Sequence, residues 1–138
     1  MSVPMDKLKE AVFNVLKNDA GIIAQVPGEN IRPLEDPIEP DAGNVIFYGW
    51  AGGRWQRKQR RGEGAFSVSV GAVKNHAEAA AILDLVRELL TPVALSYSGS
   101  PVRVALFAEE DATSDTGTTA SGRYLSAASF SVKFVEAA

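Results

Sequence analysis

The hydrophobic pattern of these 138 residues predicts an α+β fold: a single domain, 1–138, with an antiparallel sheet of about four strands and two helices packed on one face. Three observations lead there. Two stretches carry apolar residues at helical spacing, each followed by a pair of extended segments, most of them alternating apolar and polar. The first pair is joined by an unusually long connection that is basic and bounded by glycines. Every extended segment has a neighbour in sequence to pair with, so no parallel crossover is required.

The first helix is expected over about Val3 to Asn18. Met5, Leu8, Val12, Val15 and Leu16 recur at intervals of three and four, which makes one apolar stripe. Pro4 suits a first turn, where its missing N–H costs nothing, and Asp6 lies at the positive end of the helix dipole. Asp19 can cap a short second helical segment, Ala20 to Val26, which Pro27-Gly28 ends. Glu29 to Gly43 contains Pro33, Pro37 and Pro40 among acidic residues. Prolines at that density exclude helix and central strand, and the segment reads as a solvated loop along an edge.

Asn44 to Trp50 reads as a strand that is apolar on both faces, hence central or covered by a second subunit. Gly64 to Ala72 is its partner, with Phe66, Val68, Val70 and Ala72 opposed by Ser67, Ser69 and Gly71. Such a strand has one packed face and one face that is wet or interfacial. Between the two lies Ala51 to Glu63, far longer than the usual hairpin loop of about two to five residues.

Asn75-His76-Ala77-Glu78 has the cap pattern of a helix start. Ile82, Leu85, Val86, Leu89 and Leu90 then form an apolar stripe, and Thr91-Pro92 stops the helix. Two further strands, Val102 to Ala108 and Tyr124 to Val135, are expected around a small, polar, acidic connection from Glu109 to Gly122.

Catalytic chemistry finds no foothold in this pattern. Cysteine is absent and His76 is the sole histidine, expected as a solvent-exposed first-turn residue. Zinc sites combine several such ligands, and a histidine base needs a nucleophile and an orienting acid within reach. The glycines around Gly49, Gly53, Gly62 and Gly64 match neither a phosphate-binding loop nor a dinucleotide fingerprint, and read as hinges of the long loop. No Gly-x-Ser-x-Gly elbow occurs, and Glu109-Glu110 sits in a polar loop where nothing would shift its pKa. The chain is therefore read as a non-enzyme with no cofactor and no metal. No stretch approaches the ~18 apolar residues of a membrane span, so no membrane partner is expected.

What remains is charge. The formal net charge is −3, yet Arg54, Arg57, Lys58, Arg60 and Arg61 crowd into one loop. Without them nine basic residues face seventeen acidic ones, so the body is acidic and the loop basic. Trp55 lies among the cations, and Trp and Arg are enriched at interface hot spots. Arg54, Trp55, Arg57, Lys58, Arg60 and Arg61 are the candidate protein-interaction residues. A solvated turn, docking on an acidic protein surface, and contact with nucleic-acid phosphates all stay open for the loop. The acidic body disfavours the last as a main role, because nonspecific nucleic-acid binding needs a broad cationic footprint.

The order of elements also resembles a known family. Leu16 to Val26 (Leu-Lys-Asn-Asp-Ala-Gly-Ile-Ile-Ala-Gln-Val) precedes Asn30-Ile31-Arg32-Pro33. The strand Asn44-Val45-Ile46-Phe47-Tyr48 comes next, then Phe66-Ser67-Val68-Ser69-Val70 running into Asn75-His76-Ala77-Glu78-Ala79-Ala80. This resembles the tail-completion or tail-terminator proteins of long-tailed bacteriophages, over most of the chain. The resemblance implies a virion protein, assembled in the host cytoplasm, that forms a ring, typically a homo-hexamer, at the head-proximal end of the tail. It would end tail-tube polymerisation and join tail to head, with the tail tube protein and head-tail connector proteins as partners. Nucleic acid would meet it only by passing through the ring lumen. Other neck, connector or minor tail components share such folds, and a monomeric nucleic-acid or protein-binding adaptor is the alternative outside virion structure. Two departures stand out: Arg32 meets Pro33 where the family often has a tyrosine before the proline, and the basic loop is not a family feature.

Overall fold

Asp19 and Asn75 each place a side-chain oxygen where a helix leaves backbone N–H groups unpaired. Asp19 Oδ2 accepts from the N–H of Ile22 at 3.0 Å, and Asn75 Oδ1 from that of Glu78 at 2.8 Å. The helices that follow are α2 (Ala20–Gln25) and α3 (His76–Leu90), preceded by α1 (Pro4–Asn18). The computed structural model describes residues 4–34, 40–56, 58, 61–90, 102–113, 118–119 and 121–136.

The strands are β1 (Ile31–Pro33), β2 (Val45–Gln56), β3 (Arg61–Ala72), β4 (Val102–Thr113) and β5 (Tyr124–Glu136). They form one sheet in the order β1-β2-β3-β5-β4. The fold class is α+β, as the pattern predicts, with four long strands and the short β1. One core cluster joins Leu8, Val12 and Leu16 of α1, Ile22 of α2 and Ile82, Leu83 and Val86 of α3 to Phe66, Val68, Val70, Phe130 and Val132. All the helices thus pack on one face. Phe66 and Phe130 are fully buried and sit opposite each other across the β3–β5 ladder. Burial of each contributes about 1.5–3 kcal/mol.

The sheet differs from expectation in three ways. First, β1 pairs with β2 in parallel, Ile31 beside Ile46 and Pro33 beside Tyr48, so the sheet is mixed. The proline-rich segment contributes this strand because it lies at the sheet edge, where proline's missing donor is tolerated. Second, the expected long basic hairpin loop is mostly ladder. Pairing of β2 with β3 continues through Arg54↔Glu63 to Gln56↔Arg61, and only positions 57–60 separate the strands. The glycines read as hinges are strand residues around a bulge between Trp50 and Gly52. Third, β5 is inserted between β3 and β4, antiparallel to both. The final pair is therefore a hairpin, yet β3 reaches its parallel companion β4 only through α3. Residues 109–113, expected in a polar connection, extend β4.

Two buried asparagines tie the helical layer to the sheet. Asn44 donates to the carbonyl of Gln25 at 3.0 Å and to Glu78 Oε1 at 2.6 Å, and accepts from the N–H of Val73 at 2.9 Å. Asn30 donates to the carbonyls of Ala42 and Asn44, both at 2.9 Å. The end of α2, the approach to β2 and the start of α3 meet at this knot. Buried polar groups of this kind are tolerated only when satisfied.

Candidate protein-interaction surface

The basic hairpin is carried at one end of the long strands. Its shape depends on a close approach. A Cβ on Gly64 would lie 2.4 Å from the carbonyl oxygen of Gly52 and 2.9 Å from the Cα of Gly53, so only glycine lets β2 fold over β3 after the bulge. Trp50, just before the bulge, packs edge-on against Phe66 with ring centroids 5.2 Å apart. The base of the hairpin is thus keyed into the core.

Of the predicted interaction residues, Arg54 lies on β2, Lys58 in the turn and Arg61 at the start of β3, all exposed. Trp55 lies on β2 opposite Gly62. Arg57 and Arg60 lie outside the described residues. The ribbon brings Arg54 and Arg61 onto neighbouring hydrogen-bonded rows of one ladder. Sequence reasoning missed their partners. Arg54 pairs with Glu63 through Nη2 at 2.6 Å, and Arg61 Nε donates to Gln56 Oε1 at 2.9 Å. The hydrogen bond and charge of Arg54 hold the Glu63 carboxyl below the usual carboxylate value, with Lys133 and Arg61 adding to the effect. Charge-matched cross-strand partners were the available signal, and it requires the register.

A second feature lies at the opposite end of the strands. Arg123, just before β5, is 6% exposed. Its Nε donates to the carbonyl of Gly43 and its Nη2 to that of Pro40, both at 2.8 Å, while Nη1 donates to Ser121 Oγ at 2.6 Å. It holds the approach to β2 against the turn before β5, and these segments line a shallow cleft of about 570 Å³. The clasp covers Val45 and Gly71 on the sheet face away from the helices, since a Cβ on Gly71 would meet both Val45 and Arg123. Leu34 covers Gly49 in the same way. The second face of β2 is thus closed in part by the chain's own loop.

His76, expected in solvent, is half-buried, its ring edge-on to Tyr124 at 4.9 Å. The α3 start turns it onto the first residue of β5. No group of three or more His, Asp or Glu side chains among the described residues could hold a metal ion. No helix among them is long and apolar enough to cross a membrane.

No family profile matches the chain, and no curated protein does. Solved structures do. A chain from the virion of a native gene transfer agent particle superposes with a TM-score of 0.68 at 19% identity, covering 99% of this chain and 98% of the other. The bacteriophage SPP1 gp17 protein superposes with a TM-score of 0.55 at 19% identity, covering 97% and 91%. At that identity the likeness is one of fold, and it runs over more than nine-tenths of each chain.

Proposed function

We propose that this chain is a structural virion protein of the tail-terminator kind, a single tail-terminator-like domain that forms a ring at the head-proximal end of a long phage tail. In this reading it ends tail-tube polymerisation and joins tail to head, as a homo-hexamer that meets the tube protein on one side and a connector on the other. It works as a non-enzyme in the virion. The observation that carries the reading is the end-to-end fold match to a chain of a virion particle, which covers 99% of this chain and 98% of the other. The resemblance in element order noted in the sequence supports the same role.

Arg54, Trp55, Arg57, Lys58, Arg60 and Arg61 are the contact residues in this reading. A ribbon anchored by Trp50 can present charge at a fixed place better than a free loop can, and charge complementarity governs docking more than folding. Native mass spectrometry and particle images of the purified protein test the ring. Closed particles of one stoichiometry are expected. A monomer at every concentration sinks the ring. Arg57→Glu with Arg60→Glu should impair assembly on tail tubes while leaving the melting temperature nearly unchanged. A large fall in melting temperature would make the hairpin tip part of the folded body. Salt-dependent oligonucleotide binding abolished by the same double variant would favour the adaptor alternative.

A further inference from the structure

Among the described residues the sheet has two open edges that match each other. On one side β4 is the terminal strand among the described residues. On the other, β1 covers β2 only at Ile46, Phe47 and Tyr48, with Leu34 adding one bond to the Tyr48 carbonyl. Among the described residues no strand pairs with the outer edge of β2 from Ala51 to Gln56. Long open edges are templates for pairing with another chain, and proteins normally blunt or cover them.

The ladder shows which backbone groups these edges offer. The N–H of Leu34 donates to the carbonyl of Tyr48, so the peptide groups of Tyr48 face away from β3. Facing alternates along a strand, and the bulge at Ala51 resets it, so Gly52, Arg54 and Gln56 face β3 while Gly53 and Trp55 face outward. The same alternation carried through β3 and β5 turns Val104, Leu106 and Ala108 of β4 toward β5 and leaves Ala105 and Phe107 facing outward.

The two edges also lie at one height. Arg54, Glu63, Lys133 and Leu106 form a single row across the sheet, and Gly53, Gly64, Val132 and Phe107 form the next. Because β2 and β5 run one way and β3 and β4 the other, β4 of one copy laid beside β2 of the next is antiparallel. Two different edges of one sheet make a heterologous contact, which closes into a ring when the rotation between copies allows it.

We infer that neighbouring copies of this chain join edge to edge, β4 of one copy adding to the open half of β2 of the next, through the outward peptide groups of Gly53, Trp55, Ala105 and Phe107. The inference rests on the ring reading and names its interface. The occupant is a second copy because the same chain supplies both edges, at matching height and in the polarity that continues the ladder.

Proline at an outward position removes an edge donor without taking a bond from the existing ladder. Gly53→Pro therefore disables the β2 edge and Ala105→Pro the β4 edge. Each variant alone should lose the oligomer in native mass spectrometry. Mixed, they should give a one-to-one heterodimer and nothing larger, since one live edge remains on each. Hydrogen exchange on the wild-type protein supplies a reading independent of the variants' folding: the four outward amides should be protected in the oligomer and exchange freely on dilution to monomer. Wild-type oligomers with those amides unprotected, or oligomers that persist in both folded variants, overturn the edge contact and leave the ring intact. A wild-type protein that stays monomeric overturns both.

Discussion

Arg54 and Glu63 face each other across the β2–β3 ladder, with Arg54 Nη2 2.6 Å and Nε 3.0 Å from the same Glu63 oxygen, Oε1. The pair is largely exposed, so its effect is on local charge and hairpin order more than on global stability. The Glu63 carboxyl is held below its ordinary value of 4.5, first by the Arg54 hydrogen bond and charge. A depressed folded-state value means that the stabilisation is complete above the unfolded value and is lost as pH falls through the folded one. Carboxyl NMR titration should place Glu63 below 4.5 in the wild type and return it upward in Arg54→Ala. An unchanged titration midpoint in that variant would assign the depression to Lys133 and Arg61.

Asn44 should be among the most sensitive polar positions. Its side chain satisfies the Gln25 carbonyl, the Glu78 carboxylate and the Val73 N–H at once. Asn44→Ala leaves the half-buried Glu78 carboxylate and the backbone groups of Gln25 and Val73 without this partner, and a buried polar group left unmet costs about 1–3 kcal/mol. A total of about 2–4 kcal/mol is expected by denaturant unfolding, with Asn44→Asp intermediate because it keeps the acceptor and opposes Glu78. A cost under ~0.5 kcal/mol for the alanine variant would mean that the Asn30 contacts alone hold the knot.

Leu83 and Leu85 separate the helix face read from sequence from the face that packs. Leu83 is 1% exposed, while Leu85 is only partly buried against the core. Leu83→Ala should cost about 2–5 kcal/mol, with Leu85→Ala well below it. Equal losses would mean that α3 is rotated from the position described.

These residues also mark what the sequence discloses. Both major helices, the caps of α2 and α3 at Asp19 and Asn75, and the alternation that buries Phe66, Val68 and Val70 follow from local spacing, because the determining contacts lie within a few residues. The stripe on α3 was off by part of a turn because Leu83 and Leu85 are equally apolar, and the sheet below decides between them. Insertion of β5 beside β3 depends on contacts some sixty residues apart, such as Phe66 with Phe130, which no local pattern encodes. Arg123 was invisible for the same reason, since its acceptors Pro40 and Gly43 lie about eighty residues away. At the interaction surface the cations were legible as a cluster. Their setting was misread, because glycines that permit a bulge and a close strand approach carry the same signature as hinges.

Gly64 tests that last distinction. A hinge glycine tolerates alanine with little loss, and Gly→Ala at a compatible site stabilises by about 0.4–1 kcal/mol through the unfolded chain. In the ladder, a Cβ at this position meets the Gly52 carbonyl at 2.4 Å and the ring of Trp50 at 3.0 Å. Backbone cannot yield as a side-chain tip can, so Gly64→Ala should destabilise by about 1–3 kcal/mol, the range for forced overpacking. It should also disturb the Trp50–Phe66 contact, seen as a change in tryptophan fluorescence or near-ultraviolet circular dichroism. Gly53→Ala, on the facing strand, changes an exposed position and serves as the comparison. If Gly64→Ala is neutral or stabilising while the spectra are unchanged, the hairpin base is a hinge after all, and a flexible arm replaces the fixed ribbon in the assembly proposal.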